Sequence, residues 1–188
     1  MKRAIIIHGY NNKSEFEDTT RPSASNDHWI PWLQRQLLLN GIEAQTPEMP
    51  GFYKPNYEQW KDTLEMFHPD EETILVGHSC GGGFLVRWLS ENSKKVGKVV
   101  LVAPWIDPTK AIDPEFFNFE IVSDISSRTN GLSVMYSTDD HPEIVTTIET
   151  LKQELENVNF IEFQDKGHFV FNSLNSEQFP ELLEVILN

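Results

Sequence analysis

Ser79 stands in the pentapeptide Gly77-His78-Ser79-Cys80-Gly81, a hydroxyl residue with glycines two places before and two after. That spacing is the nucleophile-elbow pattern. A sharp turn between a strand and a helix lifts the serine clear of the sheet, and glycines stand where a β-carbon would collide. A neutral hydroxyl is a weak nucleophile and needs a base within hydrogen-bond reach. An imidazole titrates near neutrality, so it takes the proton and later returns it to the leaving group. A carboxylate behind it fixes the tautomer and steadies the imidazolium. The chemistry these types permit is acyl transfer through a serine ester.

Of the six histidines, His168 is the expected base, because it follows the last strand pattern and the turn-permitting Gly167. His8 and His78 lie inside the strand-exit motifs and read as structural, while His28, His68 and His141 flank helices and read as surface residues. The acid is one of the adjacent pair Asp139 and Asp140; Asp140 is preferred, with Asp139 capping the turn or the next helix, and Asp107 is a third alternative. A developing oxyanion needs two preorganised N–H donors, expected from the backbone of Cys80 and of Tyr10. The Cys80 thiol reads as a small filler at the helix start. Trp105, Ile106, Phe116 and Phe117 are candidates for a substrate pocket, against the competing expectation that phenylalanines fill the core.

The elements that must position these groups follow from hydrophobic period. Residues 3–8, 42–45, 73–76, 99–103, 132–136 and 159–163 read as strands. Helices are predicted from Asn26 or Asp27 to Asn40-Gly41, from about Asn56 to before Pro69, after the elbow, over 142–155 and over 176–187, with 11–26 a polar loop. Alternating strands and helices imply an α/β three-layer sandwich with a mostly parallel sheet of about six strands. In such sheets ligands sit beyond the carboxyl ends of the strands. His8-Gly9-Tyr10, Ser79, Asp139-Asp140 and His168 all fall at strand exits. The irregular 105–130 segment is a possible short lid or cap.

With 188 residues and no dividing linker or repeat, the chain reads as one domain, 1–188, large enough to bury roughly 70% of its unfolded surface. A formal charge of −14 disfavours nucleic acid and anionic membrane surfaces. No apolar run reaches the length of about 18 residues needed to cross a membrane. The start, Met1-Lys2-Arg3-Ala4-Ile5-Ile6-Ile7, is too short for a signal peptide and reads as a first strand. The single cysteine excludes an intrachain disulfide and suits a cytoplasmic setting. No histidine pair has zinc-like spacing, so no metal and no cofactor are expected, and the partner is a small ester or amide substrate.

Two other readings use the same residues. Gly77, Gly81 and Gly83 fit a dinucleotide loop, and Tyr57 with Lys61 fits the Y-x-x-x-K of an NAD(P) oxidoreductase. The loop follows the third strand instead of the first, however, and the Tyr-Lys pair precedes it. The other reading is a catalytically idle fold that serves as a binding protein.

The order Ser79, Asp139 or Asp140, then His168 is that of α/β-hydrolases. With Ile5-Ile6-Ile7-His8-Gly9, Ile74-Leu75-Val76-Gly77-His78-Ser79, Ser137-Thr138-Asp139-Asp140 and Gly167-His168-Phe169, the chain resembles, nearly end to end, the small serine hydrolases of the retinoblastoma-binding-protein and YdeN type. The resemblance implies a triad of Ser79, Asp140 and His168, since the family's acid matches the second aspartate, and esterase or peptidase-like activity. His141 stands between that aspartate and Pro142, a departure from the family pattern. The Leu-x-Cys-x-Glu motif credited with retinoblastoma-protein binding is missing, because the only cysteine is Cys80 in the elbow.

Overall fold

The computed structural model describes residues 2–110 and 115–188. Six strands form the centre: β1 (Arg3–Ile7), β2 (Glu43–Gln45), β3 (Thr73–His78), β4 (Val99–Val102), β5 (Leu132–Ser137) and β6 (Asn159–Phe163). They make one parallel sheet in the order β2-β1-β3-β4-β5-β6. Every residue of β3, β4 and β5 is buried. A sheet covered on both faces leaves its inner strands no solvent-facing side, which is why they carry apolar runs such as Ile74-Leu75-Val76 and Val99-Val100-Leu101-Val102. Edge strands β2 and β6 instead retain exposed residues.

The helices are α1 (Lys13–Glu17), α2 (Ile30–Leu39), α3 (Tyr57–Glu65), α4 (Cys80–Glu91), α5 (Pro142–Glu154), α6 (Phe171–Leu174) and α7 (Pro180–Leu187). From β1 the chain steps through α2 to β2 at one edge, then returns through α3 to β3 and moves the other way thereafter. Right-handed crossovers therefore put α2 on one face and α3, α4 and α5 on the other. The packing agrees: α2 touches α7, whereas Trp60 of α3 lies 5.5 Å, ring to ring, from Phe84 of α4. Trp29, Trp60, Trp88, Phe84 and Phe179 are fully buried between these layers. The strand order reverses between β1 and β3, which leaves a crevice at their carboxyl ends.

Three expectations are revised. The 11–26 stretch is not all loop: Asn12 accepts from the Glu15 N–H at 3.0 Å while the Glu15 carboxylate accepts from the Asn12 N–H at 3.1 Å, a capping box that starts α1. α2 starts at Ile30 because Ala24–Asn26 closes a 3₁₀ turn and His28 takes a positive φ of 55°. The closing helix starts at Pro180, after Phe179 has been drawn into the core. Of the 105–130 segment, residues 111–114 lie outside the described residues, so the lid expectation rests partly there. Its described anchors Trp105, Phe116 and Ile125 are buried. Among the described residues no helix is long and apolar enough to cross a membrane.

Candidate active site

β3 ends at His78 and α4 begins at Cys80, so Ser79 alone makes the turn, with φ 54° and ψ −121°. A non-glycine residue there carries strain on the order of 1–3 kcal/mol, and neighbouring contacts must fix it. They do: the Ser79 N–H donates to Val102 O at 2.9 Å, and Ser79 O accepts from Gly83 N at 3.1 Å and Trp105 N at 3.0 Å. A β-carbon on Gly77 would sit 2.6 Å from Gly81 O, and one on Gly81 would sit 2.4 Å from His8 O. The glycines thus let the elbow press against the exit of β1. There a β-carbon on Gly9 would lie 3.0 Å from that of Ser79.

His168 rides on a loop shaped by two positive-φ neighbours, Gly167 at 47° and Phe169 at 55°. Its Nδ1 lies 3.0 Å from both carboxylate oxygens of Asp140, whose side chain is wholly buried. With Nδ1 committed as a donor, Nε2 is the nitrogen left to accept a proton. The Asp140 carboxylate also accepts from the His141 N–H at 2.6 Å. Asp139 turns elsewhere. Its Oδ1 accepts from the Ser137 hydroxyl at 2.5 Å and the Gly167 N–H at 3.1 Å, and the serine hydrogen bond holds its pKa below the usual carboxylate value. Asp107 is buried at the exit of β4, and its charge adds to the burial that pushes the Cys80 thiol up. That thiol is fully buried and filler-like.

Two further histidines brace the site. His78 Nε2 donates to His168 O at 2.9 Å. Burial, and after it the neighbouring His168, drive the His78 pKa well below 6.5. His8 Nε2 accepts from the Met49 N–H at 2.9 Å, so its proton sits on Nδ1, which donates to Gly9 O at 2.8 Å. Burial lowers its pKa as well.

Ser79 and His168 line the same two cavities, of about 390 Å³ and about 300 Å³. Tyr10, the expected oxyanion donor, lines both, as does His141. Of the four residues expected to form a pocket, Trp105 lines the smaller cavity. Phe116 is instead core, 5.1 Å from the Trp60 ring, and Phe117 packs between Phe116 and Trp105. Ile106 is tied to α5 by its N–H to the Thr147 hydroxyl at 3.4 Å. His28 and His141, expected on the surface, both border the larger cavity, as do Glu15, Arg21 and Asp27. Only the Asn12-x-x-Glu15 capping pattern could have signalled from sequence that this loop was structured.

The glycine-rich turn leaves no space for a pyrophosphate, because protein backbone fills it: a β-carbon on Gly83 would lie 1.9 Å from Trp105 O. Tyr57 is buried beneath the Arg87 guanidinium, 3.6 Å from its ring centre, so the Tyr57–Lys61 pattern belongs to the packing of α3. Among the described residues no group of three or more His, Cys, Asp or Glu is placed to hold a metal.

A parallel six-stranded sheet, with helices on both faces and a strained serine elbow at the strand-order reversal, defines an α/β-hydrolase. The serine hydrolase family model matches residues 4–187, and the chain belongs to that family. It is 31% identical to YdeN of Bacillus subtilis (strain 168), over 96% of this chain and 90% of that one. The crystal structure of the B. subtilis ydeN gene product superposes with a TM-score of 0.81 at 28% identity, over 100% of this chain and 97% of the other. The esterase domain of a Rhodothermus marinus protein shares the fold, with a TM-score of 0.67 at 16% identity over 98% and 84% of the two chains.

Proposed function

We propose that this serine hydrolase is a carboxylesterase of small esters, with amides as slower substrates, working through an acyl-enzyme on Ser79. The observation that carries the reading is the paired contact of His168 Nδ1 with the buried Asp140 carboxylate at 3.0 Å, on the wall of the cavity that Ser79 also lines. In this reading His168 Nε2 takes the Ser79 proton as Oγ attacks the ester carbonyl. The Tyr10 and Cys80 N–H groups hold the oxyanion, and the positive end of α4 lies beneath it. The intermediate then collapses. The C–O bond to the leaving oxygen breaks, and the proton on His168 passes to that oxygen. Water repeats the sequence on the acyl-serine and frees the acid. Asp140 keeps its charge throughout and stabilises the imidazolium.

Placing the enzyme in the cytoplasm is part of the same proposal and is supported by the single buried, unpaired Cys80. The test is p-nitrophenyl ester turnover and fluorophosphonate labelling of wild type and Ser79→Ala. Both are expected in the wild type and neither in the variant. Equal turnover by the two proteins overturns the reading.

A further inference from the structure

The two cavities meet at Ser79 and His168 but differ in chemistry. The larger is lined by the base's own loop, through His168, Val170 and Asn172, and by Glu15, Arg21 and Asp27. Arg21 Nη1 lies 2.7 Å from Glu15 Oε1, and Nη2 lies 3.3 Å from Asp27 Oδ2. A guanidinium has five N–H donors and each carboxylate several lone pairs. Glu15 Oε2 also accepts from the Asn12 N–H at 3.1 Å and Asp27 Oδ1 from the His28 N–H at 2.7 Å, so what the wall keeps to offer is the remaining guanidinium N–H donors and the second lone pairs of the carboxylates. One cation faces two carboxylates, a balance that repels anions. The smaller cavity is apolar in effect. Its one acid, Glu143, accepts from the Trp105 Nε1–H at 3.0 Å and the Thr109 hydroxyl at 3.1 Å, and beside Ser79 and His168 its remaining surface is the rings of Tyr10, Trp105 and His141 with Ile144.

Because Ser79 lines both cavities, the two halves of an ester attacked there can divide between them. The leaving oxygen takes its proton from His168, which borders both cavities, but the loop after it, through Val170 and Asn172, borders only the larger of the two, and the departing half is assigned to that side. We infer that the substrates are esters joining an apolar acyl group, seated against Trp105 and Ile144, to a neutral, hydroxyl-rich alcohol such as a polyol or sugar, read by Arg21 with Glu15, Asp27 and Asn172. Hydroxyls both donate and accept, which suits a wall offering both. This inference rests on the esterase reading above and adds the identity of the alcohol. In the reaction the acyl carbon stays on Ser79 Oγ, and the polyol leaves as a neutral alcohol carrying the His168 proton.

The test compares kcat/KM for one acyl group on different alcohols: 1-butyrylglycerol, propyl butyrate, butyrylcholine and butyryl glycerol-3-phosphate, with p-nitrophenyl butyrate as reference. The expected result is glyceryl over propyl by about tenfold or more, the worth of one or two net hydrogen bonds, with the phosphate ester poorest. In Arg21→Gln and Asn172→Ala the glyceryl-to-propyl ratio is expected to fall toward one. That ratio is internal to each preparation, so a fraction that fails to fold does not distort it. A wild-type ratio near one, with Ser79→Ala inactive, overturns the inference and leaves the esterase reading standing. A high ratio unchanged in both variants overturns the assignment to this wall. Preference for choline or for the phosphate ester overturns the neutral class. Failure to cleave even p-nitrophenyl butyrate removes the esterase reading and this inference with it.

Discussion

His78 Nε2 and the main-chain oxygen of His168 lie 2.9 Å apart across 90 residues of sequence. The residue before the nucleophile thus holds the backbone of the base's loop. The next carbonyl of that loop, Phe169 O, accepts from the buried Trp29 Nε1–H at 2.9 Å. Two buried donors from different elements therefore fix the height of the imidazole above the elbow.

His78 is accordingly a positioning residue. His78→Leu is expected to lower kcat about 10- to 100-fold with KM little changed, since a small misplacement of a reacting group costs about that much. His78→Gln, which keeps an N–H donor, is expected to restore part of the loss. Equal damage from both variants, or an effect confined to KM, would contradict the role.

The two adjacent aspartates should separate cleanly. Asp140→Asn is expected to reduce kcat on the order of 10⁴-fold, because an amide leaves the imidazole in the wrong tautomer. Asp139→Asn disturbs only a turn held by Ser137 and Gly167, and a loss within about tenfold is expected. Steady-state kinetics with p-nitrophenyl butyrate decides it. The reverse ranking would make Asp139 the acid.

Gly83→Ala should fail on packing alone. The added methyl would fall 1.9 Å from Trp105 O, an atom of the backbone that cannot rotate away. A destabilisation of at least about 3 kcal/mol is expected, read as a lower urea midpoint. An unchanged midpoint would mean that α4 can slide away from the exit of β4.

Acid should weaken the fold through its buried histidines. His8 and His78 have native pKa values pushed below the ordinary 6.5 by burial. Below that pH the unfolded chain binds protons that the native chain refuses, so stability falls as pH drops; above it the two states bind equally and the contribution vanishes. Urea unfolding at about pH 7.5, 6.5 and 5.5 is expected to show this decline. His78→Gln should make it shallower and leave the part owed to His8 and His28, whose values burial also lowers, and a wild-type slope of zero across that window would refute it.

The sheet and the elbow were legible in the residues themselves. Apolar runs such as Val99 to Val102 and the glycine frame around Ser79 express constraints that act over a few neighbours. Strand-exit positions, and with them the convergence of Tyr10, Ser79, the Asp139-Asp140 pair and His168, follow from chain order and crossover handedness. Which aspartate faces the imidazole did not follow. Residues 139 and 140 point in different directions, and only the fold of the 165–169 loop against β5 shows which direction meets His168. The cavity walls were hidden for the same reason. Phe116 stands among the pocket candidates against the expectation that a phenylalanine is core, and Trp60 and Phe84 closing around it make it core. Arg21, Asp27 and His28 look like loop residues until α1 and the return of the chain after His168 enclose them. Local sequence determines what the backbone does over a few residues; the surroundings of a side chain are set by segments far away in the chain, and only the tertiary structure brings them together.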